Sequence, residues 1–182
     1  GWASFLPTDL VERYEPEYGY RKSRVKSYEK DAGKESDLPL ITPSYSYKTG
    51  LARLGFYDKP TIAYYELMEL LGREKFKSAL IQYIKRWKGK HPLPHDFFYT
   101  INEAAVEDLS WFWKPWFFEA GYPELELKNA EVSNEFLEIE IVKNGTIPVP
   151  LHIHIVYKDD TSEELMYKAS VWKNENRFKH TH

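Results

Sequence analysis

Apolar residues recur at three-to-four spacing through the first two thirds of the chain and at a spacing of two through the last third. Trp2, Phe5, Leu6, Leu10 and Val11 trace a helical stripe over residues 2–14, with Pro7 placed to bend or break it. Ile62, Tyr65, Met68 (or Leu67) and Leu71 predict a helix over 58–71. Asp58 is its expected cap, Pro60 lies in the first turn, where proline is tolerated, and Gly72 stops it. Phe76, Leu80, Tyr83, Ile84 and Trp87 predict the next helix over 73–88, and the short join favours an antiparallel pair. His91-Pro92-Leu93-Pro94 reads as a rigid turn. A helix starting at His95 or Asp96 then carries Phe97, Phe98, Ile101 and Ala105. Another, from near Asp108, carries Leu109, Phe112, Trp113, Trp116 and Phe117, and Gly121-Tyr122-Pro123 ends the helical part.

Beyond that point Leu125-Glu126-Leu127 and the stretches 136–142, 149–157 and 164–171 alternate apolar with polar, the signature of half-buried strands. Asn144-Gly145 and Asp159-Asp160 mark turns between them. The pattern predicts an α+β chain: a helical domain over 1–121, then a small antiparallel β-sandwich or sheet of about four strands over 122–182.

Composition narrows the function classes. The 182 residues are 42% hydrophobic and 29% charged, which suits a packed core and excludes a disordered tail. A net charge of -3 argues against nucleic acid as a partner. No apolar run approaches the length of a membrane span. The absence of cysteine removes disulfides, thiolate metal sites and cysteine nucleophiles, and leaves the compartment open. The 16% aromatic content points to a core built on rings or to a cleft lined by them. Residues 15–45 read as a solvated loop with a short helix. There Arg21, Lys22, Arg24, Lys26 and Lys30 are offset by Glu29, Asp31, Glu35 and Asp37.

No Gly-rich nucleotide loop, Gly-x-Ser-x-Gly elbow or His-Glu-x-x-His helix is present. His91 and His95 have the four-residue spacing of a metal pair, but Pro92 and Pro94 between them forbid the regular helix that would align the rings. His152 and His154 share one face of a predicted strand, and His180 and His182 lie at the chain end, where they are expected to be solvated. None of the six is expected to hold a metal.

A series of short motifs carries more. Tyr57-Asp58-Lys59-Pro60 is followed by a helix ending in Leu70-Leu71-Gly72. Then come Phe76, Leu80 and Tyr83, next Pro94 with Asp96-Phe97, next Asp108-Leu109 with Phe112 and Trp116, and finally Gly121-Tyr122-Pro123. In order and spacing this resembles the end of the catalytic domain of the M1 (gluzincin) zinc aminopeptidases, whose pattern is Tyr-x-Lys-Gly/Pro before a helix ending in Leu-Leu-Gly. Gly1-Trp2-Ala3-Ser4-Phe5 is similar to the residues directly after the family's third zinc ligand, a glutamate.

The resemblance implies a C-terminal stretch of a thermolysin-like catalytic domain joined to the family's small β-sandwich domain. It implies a peptide substrate, zinc in the full-length parent, and a missing N-terminal half holding all three metal ligands. The stretch alone would then bind no zinc and be inactive. It assigns Tyr57 the catalytic role of donating a hydrogen bond to the oxyanion of the tetrahedral intermediate. Tyr47, in Tyr47-Lys48-Thr49-Gly50, is a rival that lacks the following helix at the right offset. Lys59 is expected to be structural, fixing the turn or pairing with a carboxylate. The Tyr57 ring is expected to be open on the side where residue 1 lies. The alternative is a non-catalytic interaction module that presents an aromatic-rich surface to a protein.

Overall fold

Prolines set the breaks in the helical part. The computed structural model describes residues 1–47, 53–133 and 136–182. It shows α1 (Trp2–Phe5) ending before Pro7, and α2 (Thr8–Tyr14) starting directly after it. Gly19, at φ +55, turns the chain into α3 (Tyr20–Glu29). The stripe around Ile62 forms α4 (Lys59–Leu71), stopped by Gly72 at φ +83, and α5 (Arg73–Trp87) follows at once. In α6 (Pro94–Ala105) the carboxylate of Asp96 accepts the Leu93 N–H at 2.7 Å, satisfying an otherwise orphaned first-turn donor. The short α7 (Ser110–Trp113) runs into a π-helical turn, Lys114–Phe118.

A second π-helical turn, Leu54–Asp58, leads into α4, and this corrects the reading of Asp58 as a cap. The backbone is already helical before Asp58, so there is no free helix end for its side chain to close. Pro60 helps explain the wide turn: it has no N–H to give the carbonyl of Phe56, which accepts from the Gly1 nitrogen instead. Pro115 lies in the same way within the turn at Lys114–Phe118.

The two compact units of the chain are Gly1–Gly121 and Tyr122–His182. The helical unit has a core of rings. Trp2 stacks on Tyr64 with centroids 4.0 Å apart, Phe5 meets Tyr65 and Phe76 edge-on at 5.1 and 5.5 Å, and Phe97 lies edge-on to Trp2 and Tyr83, each at 5.2 Å. Residues 15–45 depart from the solvated-loop expectation. Tyr20, Tyr28 and Asp37 are buried, because the segment packs α3 against α4 and supplies side chains to its first turn.

The second unit has five strands where the alternation predicts four. β1 (Leu125–Ser133) pairs antiparallel with β2 (Phe136–Lys143), and β2 with β5 (Arg177–Thr181), while β3 (Leu151–Val156) pairs with β4 (Ser162–Tyr167). Ile139, Ile141, Leu151, Ile155 and Trp172 form the core shared by the two sheets. The predicted strand over 164–171 stops at Tyr167, and Ala169–Trp172 is a 3-10 turn that carries the Trp172 indole to the carbonyl of Val149 at 2.8 Å. At Gly145 the backbone approaches Tyr122 and Glu124 so closely that no Cβ would fit. The expectation that His180 is solvated also fails: it sits in β5, and its Nδ1 lies 2.9 Å from the Tyr167 hydroxyl. The fold is α+β, as the change of period predicts. Among the described residues no helix is long and apolar enough to cross a membrane.

Candidate active site

Asp58 and Lys59 are charged residues in an otherwise apolar stretch, and the fold buries both. Asp58 is 1% exposed and Lys59 0%. A buried charge is costly unless paired, and each has found a partner within residues 15–45, the segment expected to be a solvated loop. Asp58 accepts from Arg24 Nη1 at 2.9 Å, Ser27 Oγ at 2.7 Å and Arg53 Nε at 3.3 Å. Lys59 Nζ donates to Asp37 Oδ1 at 2.6 Å and to the carbonyl of Gly121 at 3.2 Å. Asp37 also accepts from the Tyr28 hydroxyl at 2.9 Å and from the Gly33 N–H at 3.2 Å.

These surroundings show in the protonation equilibria. Burial lowers the pKa of Lys59, against the opposing pull of its bond to Asp37. Burial, followed by the charge of Asp37, raises that of Tyr28. Lys59 therefore has the structural part expected of it, in pairing with a carboxylate.

Tyr57 directly precedes these two clamps. Among the described residues from Leu54 to Met68 it alone is exposed; Phe56 is half-buried and the rest are buried. Tyr57 is 49% exposed. Its carbonyl accepts from Thr61 Oγ1 at 2.5 Å, and the same hydroxyl lies 3.3 Å from the Gly1 carbonyl, so residue 1 adjoins this turn. Tyr47 is placed differently. It is half-buried, its ring centroid is 4.7 Å from that of Phe56, and its hydroxyl reaches the Pro39 carbonyl at 3.5 Å. It closes over Gly55, where a Cβ would have to push the Tyr47 ring aside. Lys48, Thr49 and Gly50 of its motif lie outside the described residues.

Phe56, one residue before Tyr57, contributes to the wall of a cavity of about 340 Å³, which Trp2, Tyr64, Phe97, Phe98 and Phe117 also line. Rings thus build both the core and a cavity.

Among the described residues, no group of three or more His, Cys, Asp or Glu side chains is arranged to hold an ion. His152 and His154 are exposed on β3, and His95 packs beside Phe98, Tyr99 and Phe118 in the first turn of α6.

The residues that sequence reasoning missed are Arg24, Ser27, Tyr28 and Asp37. The available signal was the pair of charges at 58 and 59 in an apolar run, which requires partners without naming them.

No protein-family model matches the chain. A curated relative, Aminopeptidase M1-C of Oryza sativa subsp. japonica, is 28% identical over 90 residues, which is 50% of this chain and 10% of that protein. The crystal structure of Legionella pneumophila aminopeptidase A in complex with aspartic acid matches 80% of this chain and 17% of its own, with a TM-score of 0.58 at 20% identity, a likeness of fold. The chain thus spans a small fraction of each, and is similar in sequence to part of one aminopeptidase and in fold to part of another.

Proposed function

We propose that this chain is part of a metal-dependent aminopeptidase of the M1 zinc type, which removes N-terminal residues from peptides, and that Tyr57 is its oxyanion donor. The observation that carries the reading is the exposure of one phenol in the middle of an otherwise buried turn, with both following side chains locked by buried ion pairs. Attack on a peptide carbonyl builds negative charge on its oxygen. A donor held in place beforehand stabilises that charge without having to reorganise as it forms. A phenol suits the task because its ordinary pKa of about 10 keeps the proton in place at neutral pH. Tyr47 suits it less, since its hydroxyl is engaged within the fold.

The described residues do not fit a zinc centre, so the ligands that the M1 resemblance implies have to lie outside them. This chain's part in the reaction is to present and hold the phenol.

The test uses the protein encoded by the complete reading frame that contains this chain. Tyr57→Phe should lower kcat for an aminoacyl anilide by about 10²–10³. KM, bound metal and unfolding midpoint should stay as they are. Full turnover in the variant removes Tyr57 from the mechanism. A complete reading frame that encodes no metal-binding helix and shows no hydrolysis removes the aminopeptidase.

A further inference from the structure

We propose that Arg24 is a positioning residue for Tyr57, acting through the buried carboxylate of Asp58; the proposal rests on the oxyanion role given to Tyr57 above. Asp58 directly follows Tyr57 and belongs to the same π-helical turn. Fixing its side chain therefore fixes the backbone from which the phenol projects. π-Helical turns are rare, and where they occur they are frequent at functional sites.

Three side chains donate to Asp58, and they are unequal. The Arg53 side chain is 68% exposed and its Nε is 3.3 Å away, so water screens that pair. Ser27 brings a short bond without charge. Arg24, 15% exposed and 2.9 Å away, is the cation that shares the low-dielectric site with the carboxylate. Arg24 is itself held: its Nη2 donates to the Tyr20 hydroxyl at 2.9 Å, and its guanidinium lies 4.6 Å from the centre of the Tyr20 ring. The chain of contacts runs from α3 through Tyr20 and Arg24 to Asp58 and its neighbour. The Lys59–Asp37 pair secures the start of α4, one residue further on, and leaves the direction of the turn itself to Asp58.

In the protein from the complete reading frame, kcat and KM are measured for Arg24→Met, for Tyr57→Phe and for the two together. If Arg24 acts through Tyr57, Arg24→Met alone lowers kcat about tenfold or more with KM little changed, because a misplacement of about 1 Å is enough to cost that much. Added to Tyr57→Phe, it has no further effect, since the group it positions is gone. Arg24→Lys, which keeps the charge, recovers part of the loss.

An unchanged kcat in Arg24→Met overturns the proposal. So does a loss by the same factor with and without the Tyr57 hydroxyl, which would mark a general structural effect and leave the role of Tyr57 standing. Full turnover in Tyr57→Phe overturns the oxyanion reading and the positioning role together. If Arg24→Met fails to fold, Arg24→Lys takes its place, since it keeps the charge but loses the guanidinium fork that bonds Asp58 and Tyr20 together. A partial fall in kcat that vanishes in the Tyr57→Phe background supports the proposal, and an unchanged kcat defeats it.

Discussion

The two units of the chain are held together by different kinds of contact. The helical unit buries Asp37, Asp58, Lys59 and Glu66 inside a core of rings. The β unit is built on Ile139, Ile141, Leu151, Ile155 and Trp172. Among its described residues Lys143 is the only buried charged side chain, and its Nζ goes to the carbonyls of Gly145 and Thr146 at 2.9 and 3.4 Å. Apolar burial is proportional to area and has no direction. Hydrogen bonds and ion pairs fix distances and angles. A fold that only has to persist can rely on the first kind. A turn that has to aim one side chain gains from the second, at the cost of taking charges out of water.

The largest expected effect on stability tests that contrast in the helical unit. Lys59→Met leaves Asp37 as an uncompensated buried charge and should destabilise this unit by about 3–5 kcal/mol. Five of the six tryptophans (2, 87, 111, 113 and 116) lie in the helical unit, and Trp172 is alone in the other. Fluorotryptophan NMR during urea unfolding therefore follows each unit separately. The five should shift to lower urea while Trp172 keeps its midpoint, and a common shift of all six would mean that the units are not independent in stability.

In the β unit, Ile141→Ala removes part of the shared core and should cost about 2–5 kcal/mol, read on the Trp172 signal, with turnover of the full protein unchanged. A loss of turnover would bring this unit into the reaction.

The smallest expected effect is alkaline. Burial raises the pKa of Tyr28 and Tyr64, and that of Tyr65 to about 12, whereas no tyrosine among the described residues of the β unit is fully buried. Between the ordinary value of 10.0 and about 12, unfolded Tyr65 has lost its proton and folded Tyr65 has kept it. The unfolded state binds fewer protons there, so stability is whole below pH 10 and falls as pH rises towards about 12. Urea midpoints taken across this range should decline more steeply for the helical unit, and Tyr65→Phe should flatten part of that decline. Equal slopes for the two units would contradict the difference in buried tyrosines.

Much of the fold is legible in the residues, because periodicity is a local property. The stripes at Ile62–Leu71 and Phe76–Trp87 become α4 and α5, and Pro7 and Gly72 break the chain where their backbone chemistry requires it. What escaped has non-local causes. β5 has only Phe178 and His180 as its partly buried residues, too few for a clear alternation, and it becomes a strand because β2 offers it an unpaired edge. Asp58 looks like a cap only while the π-helical turn before it is unknown.

At the candidate site the division is sharper. The sequence by itself determined the phenol, the two charges after it and the proline that opens the turn, all within four consecutive residues. Only the tertiary structure decided that the phenol would be open while its neighbours were buried, and which side chains would meet the charges. Arg24 comes to Asp58 from 34 residues away, and Asp37 to Lys59 from 22. The composition of residues 15–45 suggests charges offsetting one another nearby. A buried charge is instead paired with whatever the packed chain brings within about 3 Å of it in a low-dielectric site, and separation along the chain does not enter that distance.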